Sequence, residues 1–302
     1  MVFSQKKTAR AVARAILSIT LVLPLATFGL GLSGCSQQAG MLTLGDPKLA
    51  PPTVIKEGVL TVGVDSSKAP FAGKLGDKLI GIDVDLAAAI AEHLGLRLEL
   101  VDVSEQSATT LLTSGKIDML MNYQVSSQSN NSLSEVGPYL MNGTGIFTVS
   151  TTPQTLDINK LKDTKIATQA DSYSALQLSD IFGSQYIQTF PSLDEAFQTL
   201  VSGSISYAAA DTVIGSYLAS RYQDIICEGY LKQPTGVFIA LAPNNQALTD
   251  AITDALRNLR DGGVLKAVVS KWLGSAVSSL VLGNTAIVGS SSGASSGSTN
   301  KE

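Results

Sequence analysis

Histidine and tryptophan occur once each in these 302 residues, and cysteine only twice. With one histidine and no Cys/His set at ligand spacing, there is no metal cluster to assign. His93 lies on a predicted helix beside Leu94 and reads as a surface or half-buried residue. Cys227 follows Ile225 and Ile226 and reads as a small buried apolar residue with no disulfide partner in the folded part. Trp272 reads as core packing. There is no nucleophile motif, and no cofactor is expected. Positive charge is also scarce: 21 Lys and Arg stand against 25 Asp and Glu. That acidic balance argues against nucleic acid or anionic lipid as direct partners.

What the chain does have begins with a leader. Lys6, Lys7, Arg10 and Arg14 precede a mostly apolar run over residues 15–32, the pattern of a secretory signal. Leu32-Ser33-Gly34-Cys35 at its end resembles a bacterial lipobox. That resemblance implies that Cys35 becomes a lipid-modified N-terminus and that residues 1–35 are a lipoprotein signal peptide. A plain membrane anchor is the alternative, near the lower length limit for a span. The leader holds four basic residues and no acidic ones, so its removal takes the net charge from −4 to −8. Residues 36–53, with Pro47, Pro51 and Pro52, read as a flexible tether. The Ser/Gly-rich residues 283–302 read as a disordered tail.

Between tether and tail the pattern is α/β. Apolar runs at residues 58–64 and 96–103 flank a helical stripe of Leu86, Ala87, Ile90 and Leu94, which makes a βαβ unit and hence a parallel sheet. Ligands collect beyond the carboxyl ends of such strands. The first strand ends in Asp65, Ser66, Ser67 and Lys68, with Phe71 close behind. Asp83 and Asp85 in the first turn of the helix read as capping groups. A helix over residues 107–114 is followed by a buried strand at 117–121. That strand runs into a polar, uncharged loop that includes Asn122, Tyr123, Gln124 and Ser127. Gly137-Pro138-Tyr139 reads as a turn, and residues 145–150 as a strand.

The pattern then repeats. A strand at 165–168 leads to Asp171, Ser172 and Tyr173 and a helix at 174–182. A strand at 186–190 and a helix at 193–202 follow, then a strand at 206–210 that ends in Asp211, a helix at 212–221, a short strand at 225–227 and a returning strand at 236–241. Residues 246–273 carry helical spacing broken at Gly262-Gly263. Two α/β halves joined by extended crossings near residues 147–152 and 238–242 describe a hinged, two-lobed molecule. Lobe 1 is expected over 54–150 and 237–282 and lobe 2 over 151–236, with the pocket in the cleft between them.

These motifs resemble the bacterial extracellular solute-binding proteins of family 3, the polar amino-acid receptors of ABC importers. The carriers are residues 58–65 (GVLTVGVD), Ala69-Pro70-Phe71, residues 81–86 (GIDVDL), residues 114–118 (SGKID), Pro138-Tyr139 and Ala210-Asp211, in that order. The resemblance implies a type II periplasmic-binding-protein fold with two mixed sheets and hinge strands. It implies a monomeric, lipid-tethered extracytoplasmic receptor that closes on a small solute and presents it to a membrane permease. It also implies cleft positions for Asp65, Lys68, Phe71, Asn122, Tyr123, Gln124 and Ser127. In the second lobe, Ser172 and Tyr173 match a helix N-terminus that helps hold a carboxylate, and Asp211 matches the acid that binds an α-ammonium. Asp171 adds to the negative charge there.

The family's carboxylate-clamping arginine is missing. Its place falls on Ser129 or Asn130, and no Arg or Lys occurs anywhere over residues 118–154. Either Lys68 supplies the positive charge or the ligand has no α-carboxylate. An enzyme on this fold, dehydratase-like, would use Asp65, Asp171 or Asp211 as acid or base. A sensing or adaptor module with a degenerate site is the third reading.

Overall fold

The computed structural model describes residues 48–124, 133–151, 158–222, 224–274 and 281–282. The leader with Cys35, the tether up to residue 47, the tail, and Ser127, Ser129 and Asn130 lie outside the described residues.

The first half opens with β1 (Val59–Val64), every residue of it buried. A short hairpin of β2 (Gly73–Leu75) and β3 (Lys78–Ile80) follows, absent from the sequence reading because each strand is only three residues long. Helix α1 (Ile82–His93) buries Leu86, Ala87 and Ile90. It starts at Gly81, whose φ of 142° and close approach to the Phe71 carbonyl exclude any side chain. Next come β4 (Arg97–Asp102), α2 (Glu105–Thr113) and β5 (Met119–Tyr123). Asp118 joins these parts: its Oδ1 accepts from Ile55 N at 2.8 Å and its Oδ2 from Thr61 N at 2.7 Å.

Residues 137–139, expected as a turn, lie inside β6 (Ser134–Asn142). The strand tolerates Pro138 because β6 is the edge of its sheet, where a missing N–H costs no ladder bond. Then come β7 (Thr144–Val149), β8 (Ile166–Gln169), α3 (Tyr173–Phe182), β9 (Ile187–Phe190), α4 (Leu193–Val201), β10 (Tyr207–Asp211), α5 (Thr212–Ala219) and β11 (Ile225–Tyr230). The chain closes with β12 (Thr235–Leu241), α6 (Gln246–Asp261) and α7 (Val264–Leu273). The break between the last two falls at Gly262 and Gly263, the latter at φ 77°.

Two five-stranded mixed sheets result, with strand orders β4-β1-β5-β12-β6 and β11-β7-β10-β8-β9. Gly143 alone separates β6 in the first sheet from β7 in the second, and residues 231–234 carry the chain back from β11 to β12. The crossings therefore lie earlier than residues 147–152 and 238–242. The β7 strand belongs to the second lobe, and β12 enters the first lobe two residues before 237. An extended hydrophobic strand looks alike on either side of a hinge, so its sheet depends on pairing partners that periodicity does not reveal. The crossings are tied side by side: Tyr230 Oη donates to Met141 O at 3.0 Å and Thr235 Oγ1 to Asn142 O at 3.3 Å.

Each lobe has its own apolar core. The first packs Leu60, Val62, Ile82, Leu86, Ile90, Ile252, Leu256 and Val269 between sheet and helices. Each such side chain contributes about 1.5–3 kcal/mol on burial. The second centres on Phe147, Phe197 and Tyr222, with ring centroids 5.3 and 6.2 Å apart in successive pairs. Val213 of α5 is buried in the core of the first lobe, so this helix touches both.

Asp83 and Asp85 do not cap α1. Asp85 Oδ2 accepts from Trp272 Nε1 at 2.7 Å and Lys271 Nζ at 2.6 Å, which ties α1 to α7. Trp272 is thus core-packed and also a hydrogen-bond donor. Asp83 is buried and accepts from Tyr139 Oη at 2.6 Å. His93 is half-buried, as is Cys227, whose thiol burial pushes up to about 12, so it stays protonated.

Candidate functional site

The parallel strands β1, β4 and β5 point their carboxyl ends at one cavity of about 590 Å³. The first lobe supplies Asp65, Lys68, Phe71, Glu105, Asn122, Tyr123 and Gln124, and the second supplies Asp211 and Ile214. A second cavity of about 320 Å³ continues over the second lobe, lined by Ser172 and Tyr173 and again by Gln124, Asn142 and Asp211. Of the residues singled out in the sequence, Asp171 lines neither cavity; it is exposed on the turn before α3, at φ 55°. Ser127 lies outside the described residues. The remaining nine line one cavity or both.

The carboxyl end of β1 leaves Asp65 in a tight turn. Its Oδ1 accepts from Ser67 N at 3.0 Å and Ser67 Oγ at 2.6 Å. Lys68 pairs with Glu105 Oε2 on α2 at 2.9 Å. Both partners are largely exposed, so the pair adds little stability. Its consequence is electrostatic, since the only lysine among the described residues that line the cavity already faces a carboxylate. Phe71 is 5% exposed and its backbone carbonyl accepts from Asp83 N at 2.9 Å.

Asn122, at φ 55°, is held from behind: its N–H donates to Tyr139 Oη at 3.1 Å, and Tyr139 donates on to Asp83. A left-handed asparagine between a buried strand and the cavity is therefore fixed by a Tyr–Asp relay behind the wall. Burial pushes the Asp83 carboxyl up to about 7, opposed by the Tyr139 hydrogen bond, and its Oδ2 is buried with no partner among the described residues. The Tyr123 hydroxyl is likewise buried with no partner among the described residues.

On the opposite wall Asp211 ends β10 and caps α5, where its Oδ1 accepts from Ile214 N at 2.9 Å. Its Oδ2 accepts from Asn142 Nδ2 at 2.7 Å. Burial pushes the Asp211 carboxyl above the ordinary carboxylate range, against the opposing donation from Ile214, Asn142 and Val213. Capping and cavity lining are both present, and no cation answers the charge among the described residues. Ser172 caps α3: its Oγ accepts from Ala175 N at 3.1 Å and donates to Gln169 O at 2.7 Å.

Asn142 and Glu105 were missed in the sequence. Asn142 was hidden because β6 was read as a turn, which left the strand's end unlocated. Glu105 sits one turn from the end of β4, and its spacing from Asp65 and Lys68 carries no signal that the three converge. Among the described residues no group of His, Cys, Asp and Glu could hold a metal ion. None of the described helices is long and apolar enough to cross a membrane.

Two lobes on separate sheets, meeting over an acid-lined cavity at their strand ends, define a cleft receptor for a small solute. The family described as bacterial extracellular solute-binding proteins, family 3, matches residues 60–275, and the chain belongs to it. Its relatives include the L-cystine-binding protein TcyJ of Escherichia coli strain K12, 26% identical over 231 residues that span 74% of this chain and 86% of that one. The arginine-binding extracellular protein ArtP of Bacillus subtilis is 25% identical over 228 residues, 70% of this chain and 85% of its own. The crystal structure of a polar amino acid ABC uptake transporter substrate binding protein from Streptococcus thermophilus superposes with a TM-score of 0.66 at 22% identity. It covers 74% of this chain and 89% of that one.

Proposed function

We propose that this protein captures a small polar amino acid or cationic amine between its lobes and delivers it, chemically unchanged, to an ABC importer. The observation that carries the reading is Asp211: a cavity-facing carboxylate at the end of a buried strand, held by neutral N–H donors and met by no cation among the described residues. Such a group gains most from a ligand ammonium, because burial makes its isolated charge costly. Family membership supports the importer as partner, and the lipobox supports a membrane tether at Cys35, with the domain outside the cytoplasm.

Thermal unfolding against a panel of amino acids, cystine and amines tests the reading. A ligand at a hundred times its Kd stabilises the folded state by about 2.7 kcal/mol. For a domain of this size that raises Tm by roughly 5–10 °C. Asp211→Ala is expected to abolish the shift. A panel in which no compound shifts Tm contradicts the reading, as does turnover of the ligand.

A further inference from the structure

Among the described residues, three carboxylates line the larger cavity, Asp65, Glu105 and Asp211, against one lysine, Lys68. Lys68 is committed to Glu105 at 2.9 Å. The nearby Lys74 is committed to Asp102 at 2.6 Å. No Lys or Arg occurs over residues 118–154, the stretch that follows the cavity-lining end of β5.

Several neutral donors are spent too, on the same acids or on backbone carbonyls. Ser67 gives both its N–H and its hydroxyl to Asp65. Asn142 gives its amide N–H to Asp211. Ser172 gives its hydroxyl to Gln169 O, and Thr168 gives its own to Ala209 O at 2.9 Å. Acceptor capacity remains open: Asp65 Oδ2 accepts no hydrogen bond among the described residues, and each carboxylate oxygen takes more than one donor. Phe71, Val103, Leu120, Met121 and Ile214 supply apolar wall between the acids.

Resting on the capture reading above, we infer that the cleft selects an organic cation that carries no carboxylate, an aliphatic amine with two or more cationic nitrogens, over the corresponding α-amino acid. Ammonium and guanidinium groups donate and never accept, which matches a cavity whose described acids outnumber its described cations and keep acceptor capacity open. A ligand carboxylate would meet Asp65, Glu105 and Asp211. Its one cationic partner would be Lys68, taken from Glu105. The raised Asp211 carboxyl fits the same picture, since a cation beside it would restore the ionised form.

The test is titration calorimetry of the protein with matched pairs: L-lysine against 1,5-diaminopentane, and L-arginine against its decarboxylated form, 4-aminobutylguanidine. Each pair differs by one carboxylate. The amine of at least one pair is expected to bind about tenfold or more tightly than its amino acid, the scale of one unmet charged group. Amino acids that bind as tightly as their amines in both pairs overturn the inference and leave the capture reading standing. A neutral amino acid or cystine that outbinds every amine overturns it equally. If neither pair, nor any amino acid, nor cystine binds, the capture reading falls and this inference with it.

Discussion

The side-chain amide of Asn142 donates to the carboxylate of Asp211 across 2.7 Å, and the two residues end strands in different sheets. Asn142 Oδ1 in turn accepts from Val213 N at 3.3 Å, in the first turn of the helix that Asp211 caps. One neutral side chain from the first lobe thus holds both the acid and the helix start of the second. The contact lies beside Gly143, where the chain crosses between sheets, so the acid is fixed close to the crossing.

The first prediction concerns pH. The Asp211 carboxyl lies above its ordinary range because burial disfavours its charge. A cationic ligand needs the ionised form. Affinity should therefore fall as pH is lowered, starting at a higher pH than an ordinary aspartate would give, while Asp211→Asn binds weakly and without that pH dependence. Calorimetry from pH 8 down to 5 measures it. Affinity that is flat across the range in the unaltered protein contradicts the assignment.

Asp83 gives a stability prediction. Its carboxyl is raised from 3.8 to about 7 by burial, so the folded state holds this proton more tightly than the unfolded chain. The stabilisation is full below the unfolded value and is lost as pH rises through about 7. The shift from 3.8 to about 7 implies a loss of about 3 kcal/mol between pH 5 and pH 8 at 1.36 kcal/mol per unit. Asp83→Asn, which cannot ionise, should gain on the unaltered protein by that order over the same interval in chemical denaturation. A constant difference between the two proteins would sink the claim.

A third prediction isolates Asp118. Removing its carboxylate leaves the Ile55 and Thr61 N–H groups without their acceptor. Asp118→Ala should destabilise the protein by about 2–6 kcal/mol, the cost of one buried and one part-buried donor at roughly 1–3 kcal/mol each. Ligand affinity of the folded fraction should hold, because Asp118 lines neither cavity. Urea titration and calorimetry read the two quantities separately.

Glu105 offers a change in ligand preference. Glu105→Gln would release Lys68 from its 2.9 Å partner and remove one negative charge from the cavity. The amino-acid member of each matched pair should gain a few-fold on its amine, since an exposed ion pair is worth up to about 1 kcal/mol. An unchanged ratio would mean that Lys68 does not reach the ligand.

Much of this fold was legible in the sequence because its elements obey clean local rules. The stripe of Leu86, Ala87 and Ile90 marks α1, and Gly262-Gly263 marks the break between α6 and α7. What failed was non-local. Pro138 argued for a turn, and it is tolerable in a strand because β6 is an edge strand whose register with β12 breaks at this point. The crossings were misplaced because β7 pairs with β10 and β11, which arrive some sixty or more residues later. Asp65, Phe71 and Asp211 were found because a strand end is a local feature that fixes a position in space. Asn142 and the Asp83–Tyr139 relay were not, because they act through partners 69 and 56 residues away. Asp171 was carried by its neighbours Ser172 and Tyr173, but its left-handed turn takes it out of the cleft.

The measurement that reaches the central claim most directly is equilibrium dialysis of the protein against a bound ligand from the panel, followed by denaturation and mass analysis of what is released. One equivalent retained per chain, recovered chemically unchanged, and lost in Asp211→Ala is the expected result. A converted product, or retention that survives Asp211→Ala, would contradict an account in which this cleft holds its solute through that carboxylate and does no chemistry on it.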